Sequence, residues 1–335
     1  MYVESKRLEY LDSIRGVAAL FVLLSHTVAA FAWPKGFDTF LNLPFVSILF
    51  SGQEAVCMFF VLSGYVLSKP YFRSPGNPSP RTIFLPTFYV RRFTRIWPPW
   101  FFVFVLSIIA KKYWFCQPAT EPPVSNWLAQ FWHAPMTAED FFRQCAFQLH
   151  DFSRQLLVQD WSLGVELKGS LLIPLFVFLL QRGHMGWLLL VLAVAFPICL
   201  GTGQYYVSFI IGAVLARYGE FAIPSVRFAK AALLVLGLLL YQTIGILIAI
   251  FPGPKLASQY GWGWIATSLG CALVLLAVFG SQSLQQRLSH KSVAFLGRVL
   301  IRFILSSSSS SFVCCRRWSG GAMTGASPIA WGCLR

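Results

Sequence analysis

Apolar positions in this chain gather into long runs, and polar segments rich in lysine and arginine separate them. The runs are Arg15–Trp33, Phe45–Ser68, Trp97–Ala110, Trp161–Leu180, Met185–Leu200, Tyr205–Ala216, Ala231–Phe251, Trp262–Gly280 and Val293–Leu305. About 20 residues of α-helix cross the hydrocarbon core of a bilayer, so the longer runs predict spanning helices. The shorter ones must tilt, break or be shielded by neighbours. Pro174 and Pro197 fall inside runs, where membrane helices accept proline if neighbouring groups satisfy the freed carbonyl. No segments of about ten alternating residues occur, which argues against a membrane β-barrel. The pattern predicts an all-α fold, a polytopic transmembrane helix bundle with about nine helices.

Composition sharpens this reading. The chain is 56% hydrophobic and 12% charged, whereas soluble domains carry about 25% charged residues. The net charge of +15 lies between the apolar runs instead of on a soluble face, which fits membrane flanks and argues against a nucleic-acid partner. With the N-terminus in the cytoplasm, segments on that side hold fifteen lysines and arginines, among them Lys69, Arg73, Arg81, Arg91, Arg92 and Arg95. The opposite side holds six: Lys35, Lys111, Lys112, Arg143, Arg154 and Lys255. That asymmetry predicts a cytoplasmic N-terminus over residues 1–14, without a cleavable signal peptide. A transmembrane domain follows over 15–305, with a long outer loop at 111–160. Trp114, Trp127, Trp132, His133 and His150 make this loop too aromatic for plain disorder. Residues 306–335 open with six serines, share no pattern with the preceding chain, and read as a low-complexity, disordered or mis-framed tail.

Ionisable groups inside apolar runs are costly and each needs a reason. Arg15 and His26 stand eleven residues apart, a rotation about 20° beyond three full turns, so both lie on one stripe of the first helix. Arg15 is expected at the cytoplasmic mouth and His26 near mid-membrane. Ser63-Gly64 reads as a close helix–helix contact, and Gln53 and Glu54 as solvated groups at the outer end of that run. Arg91, Arg92 and Arg95 cluster ahead of the third run, either as positive anchors or as a phosphate site. Glu166, entering the fourth run beside Trp161, reads as a cavity-lining carboxylate in preference to a structural ion pair with Lys168, since i, i+2 does not share a helix face. Cys57, Cys199 and Cys271 are expected as small buried residues. Cys116 and Cys145 share the outer loop, where a disulfide between them would be compatible with an oxidising side. No cysteine has metal-ligand spacing, and no metal is expected.

Four blocks in order carry a resemblance. Leu11-Asp12-Ser13-Ile14-Arg15-Gly16 with His26, Phe59-Phe60-Val61-Leu62-Ser63-Gly64-Tyr65, Arg91-Arg92-Phe93-Thr94-Arg95-Ile96-Trp97-Pro98 and Trp161-Ser162-Leu163-Gly164-Val165-Glu166 together resemble the acyltransferase 3 family of membrane O-acyltransferases, over about residues 8–298. Lys168-Gly169-Ser170 looks like its eukaryotic, fungal-type members. The resemblance implies about ten membrane helices and transfer of an acyl group from cytoplasmic acyl-CoA, with no bound cofactor. The acceptor would be a hydroxyl of a carbohydrate or lipid-linked molecule. It further implies His26 as general base, Arg15 as its essential partner, Glu166 as a required acid and Arg91, Arg92 and Arg95 on the donor side. A multi-pass transporter or lipid flippase is the rival class, since its path would also use intramembrane His, Glu and Arg. The family pattern calls for a Tyr/Leu-rich helix after Arg298. The polyserine run stands there instead, which points to a shifted reading frame or a truncated form.

Overall fold

The computed structural model describes residues 2–34, 36–41, 43–72, 81–114, 125–129, 131, 134–148, 153–183, 186–187, 191, 205–224, 226–243, 245–246, 261–291 and 295. Among them every regular element is helical. In chain order these are α1 (Tyr2–Ala30), α2 (Phe37–Leu41), α3 (Pro44–Leu49), α4 (Gly52–Ser68), α5 (Leu85–Trp114), α6 (Asn126–Ala129) and α7 (Ala138–Cys145). They continue as α8 (Asp160–Leu171), α9 (Ile173–Gln181), α10 (Tyr206–Tyr218), α11 (Arg227–Tyr241), α12 (Gly261–Phe279) and α13 (Gln282–Leu288). Three stretches are long and apolar enough to cross a membrane: Glu9–Ala30, Leu85–Tyr113 and Asp160–Gln181. A fourth is Gly263–Phe279 if it is joined to Gln282–Leu288, from which it is bent by 101°.

Several boundaries differ from the sequence expectation. The third run was expected to open at Trp97, but α5 begins at Leu85 and carries Pro98 and Pro99 inside it. The run Phe45–Ser68 is not one helix, because it breaks at Phe50-Ser51 between α3 and α4. The fourth run is interrupted at Leu172, where Pro174 opens α9, since proline cannot donate the amide that would continue the ladder. The run Met185–Leu200 lies largely outside the described residues. The run Val293–Leu305, the 306–335 tail, His133, His150, Arg73 and Cys116 also lie outside, apart from Phe295 in that run. Cys145 is a free thiol.

The chain forms two compact units, residues 1–28, 33–93 and 165–301 in one and 29–32, 94–164 and 302–335 in the other. In the first, small residues let backbones meet. A side chain added at Gly64 would lie 2.9 Å from the Phe209 Cα and closer to its carbonyl oxygen, and one at Gly212 would lie 2.7 Å from the Tyr65 amide nitrogen. α4 and α10 therefore cross backbone to backbone, as small-residue contacts in membranes do. Phe60 stacks on Phe209 at 5.2 Å beside this crossing, within a core that also takes Ile173, Phe176 and Leu180 from α9. Gly237 and Gly270 bring α11 and α12 together in the same way.

Contacts at the two ends of this unit fix the helix directions. Tyr205 meets Phe60 and Glu220 meets Lys69, so α10 runs parallel to α4. Glu166 meets Ser63 and Gln181 meets the Tyr71 carbonyl, so α8 and α9 follow the same direction. Trp264 packs on Tyr205 and Phe279 on Tyr65, which adds α12. α1 runs the other way: Tyr10 packs on Phe279 at one end, and Ser25 lies against Gly52 at the other. α11 also opposes α4, with Tyr241 at Ser51 and Lys230 beside Gly280. These relative directions are those the sequence assigns to successive crossings.

In the second unit the loop after α5 is built, not loose. Thr137 caps α7 in a reciprocal capping box with Asp140, which satisfies otherwise orphaned amides. Asp160, 3% exposed, accepts from Trp100 Nε1 at 2.6 Å and from Gln144 Nε2 at 2.5 Å. Trp97 Nε1 donates to the Cys145 carbonyl and Lys111 Nζ to the Ala134 carbonyl. The aromatic content of the loop, Phe141 and Phe147 included, goes into packing against Trp100 and Phe104.

Candidate active site

α1 carries Arg15 and His26 on the stripe the sequence predicts, and both are half-buried. α1 ends at Ala30, so His26 stands four residues, about 6 Å, from the C-terminal end of the helix. Arg15 Nη1 bonds Asp12 Oδ1 at 3.0 Å, across a single turn. The motif Asp12-Ser13-Ile14-Arg15 thus orients its own guanidinium.

The other half of the site comes from α4 and α8. Ser63 is buried, and its hydroxyl donates to Glu166 Oε1 at 2.5 Å. The close contact expected of Ser63-Gly64 exists at Gly64 against α10, and it seats Ser63 where the carboxylate of Glu166 can take its proton. Gly169, one turn beyond Glu166, meets the Phe209 ring, 2.7 Å from Cδ2 to where a side chain would begin. α8 is thereby locked to the same crossing. Lys168 is exposed and stands two positions from Glu166, off its face.

The depth of each group follows from the antiparallel contact of α1 and α4. Ser25 Cβ would lie 2.7 Å from a side-chain carbon added at Gly52, which puts those two residues in one layer. Going back ten residues from Ser25 reaches Arg15, a rise of about 15 Å. Going forward eleven from Gly52 reaches Ser63, a rise of about 16 Å and a rotation about 20° beyond three turns. Arg15 and the Ser63–Glu166 pair therefore share a layer, and Ser63 lies on the stripe of α4 that faces α1. His26 lies in the Gly52 layer, one helix stripe above Arg15.

The arginines divide. Arg91 and Arg95 are exposed on α5, whereas Arg92 is 8% exposed. Residues i and i+4 share a helix face and i+1 does not, so Arg91 and Arg95 form the outward pair while Arg92 packs inward. All three lie on the first turns of a helix, not in the loop before it.

Glu54 overturns the expectation of a solvated group. It is 8% exposed, not solvated, because α4 starts at Gly52 and its first turn faces α11 and α12. Beside it Ser51 Oγ donates to Tyr241 Oη at 3.1 Å, and Ser208 and Ser268 bond each other at 2.7 Å. Cys57 and Cys271 are fully buried, as expected. Glu54 and Ser63 are nine residues apart, two and a half turns, so they lie on opposite faces of α4. Among the described residues no group of three histidines, cysteines or carboxylates suits a metal ion.

Comparison with known proteins places this architecture. The model of a family described as an acyltransferase domain matches residues 8–303. The O-acetyltransferase PaAT-1 of Phomopsis amygdali is 30% identical over 205 residues, 52% of this chain. The match spans 40% of that relative's length. No solved structure matches. With the family model covering almost all of the described helices and all four ordered blocks, the chain belongs to the acyltransferase 3 family.

Proposed function

We propose that this protein is a multi-pass membrane O-acyltransferase that moves an acyl group from cytoplasmic acyl-CoA to a hydroxyl of a carbohydrate or lipid-linked acceptor. Family membership supports acyl transfer, and the O-acetyltransferase relative supports oxygen as the acceptor atom. The observation that carries the reading within this chain is α1 itself. It sets an imidazole and a guanidinium on one stripe of an apolar helix, with the guanidinium in the carboxylate-bearing layer of α4 and α8 and the imidazole in the layer of Gly52.

His26 takes the proton of the acceptor hydroxyl as its oxygen attacks the thioester carbonyl, a role suited to imidazole near neutral pH. A C–O bond forms, the tetrahedral intermediate collapses, and the C–S bond breaks. The imidazolium returns its proton to the departing CoA thiolate, so the enzyme ends as it began. Arg91 and Arg95 meet the CoA phosphates, for which guanidinium forks are well matched. The N-terminus and the Tyr10 end of the bundle lie in the cytoplasm, where acyl-CoA is available.

Incubation of membranes containing the protein with radiolabelled acetyl-CoA is the test. The label is expected in a hydroxyl-bearing acceptor, and His26→Ala should abolish that transfer while leaving the protein in the membrane. Arg95→Ala should mainly raise the KM for acetyl-CoA. Full transfer by the His26 variant would refute the mechanism, and labelled substrate crossing the membrane without acylation would favour a transporter.

A further inference from the structure

On the proposed orientation, we infer that residues 134–148 line a water-filled vestibule, open beyond Lys111 and descending along α5, through which a hydroxylated acceptor enters from the outer side. Its use by an acceptor rests on the acyl-transfer reading; the vestibule itself does not. The inference starts from depth within the second compact unit. Lys111 Nζ donates to the Ala134 carbonyl, and Phe104 meets the Phe141 ring at 5.5 Å. Trp100 meets the Phe147 ring at 4.6 Å, and Trp97 Nε1 donates to the Cys145 carbonyl at 3.1 Å. The loop therefore runs forward from Ala134 to Phe147 while α5 is followed back from Lys111 to Trp97. That length of α5 rises about 21 Å. It is the apolar stretch that carries this candidate span through the bilayer. Asp160, the first residue of α8, lies against Trp100 at 2.6 Å, so α8 also begins about 16 Å below Lys111. A segment that hydropathy assigns to the outside thus lies at membrane depth.

At that depth the two sides of the α5–α7 pair have opposite needs. Phe102, Leu106, Ile109 and Tyr113 form one exposed stripe of α5. Each stands two residues, about 200° around the helix, from Trp100, Phe104, Ser107 or Lys111 on the loop-bearing side. Large apolar groups exposed along a spanning helix belong against lipid. On α7, Phe141 faces α5, whereas Glu139 and Arg143 are exposed on the far side as an ion pair of 2.6 Å. Arg154 brings a further charge to this level, paired with Asp140 at 3.1 Å. Ionised side chains at bilayer depth face protein or a water-filled cavity, never lipid. The backbone makes the same demand. Phe147 follows α7 with a φ of +54° and packs on Gly164. Non-helical chain at this depth is tolerated only where it is buried in protein or lines water. Phe147 is buried, but Ala146 and Gln148 on either side of it are exposed, so water has to reach them. Phe142 is exposed on the same face as Glu139 and Arg143. An aromatic ring beside a carboxylate and a guanidinium matches the apolar face and hydroxyl groups of a sugar ring.

The test uses spin labels on single introduced cysteines in the full-length protein, reconstituted in lipid nanodiscs. Relaxation by a water-soluble nickel chelate reports water, and relaxation by dissolved oxygen reports lipid. Glu139→Cys, Phe142→Cys and Arg143→Cys should relax several-fold more with nickel than Phe102→Cys and Leu106→Cys, which should respond to oxygen. The unsubstituted protein supplies the background from native thiols. Equal nickel access at Phe102→Cys and Leu106→Cys would overturn the vestibule, because that part of α5 would then stand clear of the bilayer. Oxygen in place of nickel at Phe142→Cys and Arg143→Cys would also overturn it, by setting α7 against lipid. A second arm reads acceptor entry. A bulky maleimide on Arg143→Cys should remove most of the radiolabelled acetyl transfer shown by the same protein unmodified, and the same group on Phe102→Cys should not. Unchanged transfer with Arg143→Cys blocked would overturn the vestibule as the acceptor's route. Absence of transfer by the parent would count against the acyl-transfer reading instead, since the relaxation measurement decides the vestibule without turnover.

Discussion

Replacing Gly64 with alanine tests the crossing on which the site depends. The added carbon would lie 2.9 Å from both the Cα and the carbonyl carbon of Phe209, and closer still to its oxygen. Carbon atoms rest at about 3.5–4.0 Å, so α4 and α10 must separate by about 1 Å. Overpacking a filled interior costs about 1–3 kcal/mol. The upper end applies here, because the obstructing atoms are backbone and cannot rotate away. About 3 kcal/mol is roughly a hundred-fold in the folding equilibrium. The reciprocal contact of Gly212 with Val61 and Tyr65 opens with the same movement, and Ser63 is drawn from Glu166. Thermal melting in detergent, followed by far-ultraviolet circular dichroism, gives the comparison. Val235→Ala on the exposed face of α11, 58% exposed, serves as the control and should stay within about 0.5 kcal/mol of the parent. A Gly64→Ala protein that melts with the control would show that the two helices do not cross backbone to backbone.

Other outcomes follow from single contacts. Lys69→Glu should lower stability by about 1 kcal/mol through loss of the 2.6 Å pair with Glu220, and the double exchange Lys69→Glu with Glu220→Lys should restore much of it in the same melt. The backbone and hydroxyl of Thr137, with help from Arg154, hold Asp140 below the ordinary carboxylate range. Its contribution is therefore complete above the unfolded carboxylate value and fades as pH falls through the lowered folded one. Thr137→Ala should flatten that acid limb and cost about 1 kcal/mol at neutral pH, measured by melting against pH. Single cysteines placed at Lys69 and Arg81 should resist an impermeant thiol reagent in intact cells, and labelling there would reverse the proposed orientation.

Much of the fold was readable because apolar runs register directly in sequence. The run Trp262–Gly280 returned as α12 to within a residue or two, and Tyr205–Ala216 as α10. Failures occurred where hydropathy is blind to backbone geometry. Ser51 and Gly52 are small and do not interrupt an apolar average, yet the chain breaks there and buries Glu54 one turn later. A carboxylate at the end of a run is solvated only if nothing packs over it, and Tyr241, 187 residues away, does so through Ser51 beside it. The polar segment before Trp97 fell outside the apolar run because arginine lowers hydropathy, although its one proline, Pro86, stands in the first helical turn, where proline is tolerated.

The site was legible where one helix holds it and illegible where two do. Arg15 and His26 needed only the 3.6-residue period, and the arginine block needed the same period applied from Leu85 to see that Arg92 leaves the face shared by Arg91 and Arg95. Ser63 and Glu166 are 103 residues apart in sequence, and no local period links them. A weak signal did exist: a serine beside a glycine that marks a close crossing, and a carboxylate one turn into an apolar helix that needs a donor. Each is costly alone in a membrane, and pairing them removes both costs at once. Asp160 follows the same rule, since a buried carboxylate at the first turn of α8 implied donors that Trp100 and Gln144 supply. The intramembrane polar groups of such a chain are thus best read as unknown pairs. The number of plausible partners falls once the helix directions assign each residue a depth: that constraint alone puts Arg15 with Ser63 and separates both from His26.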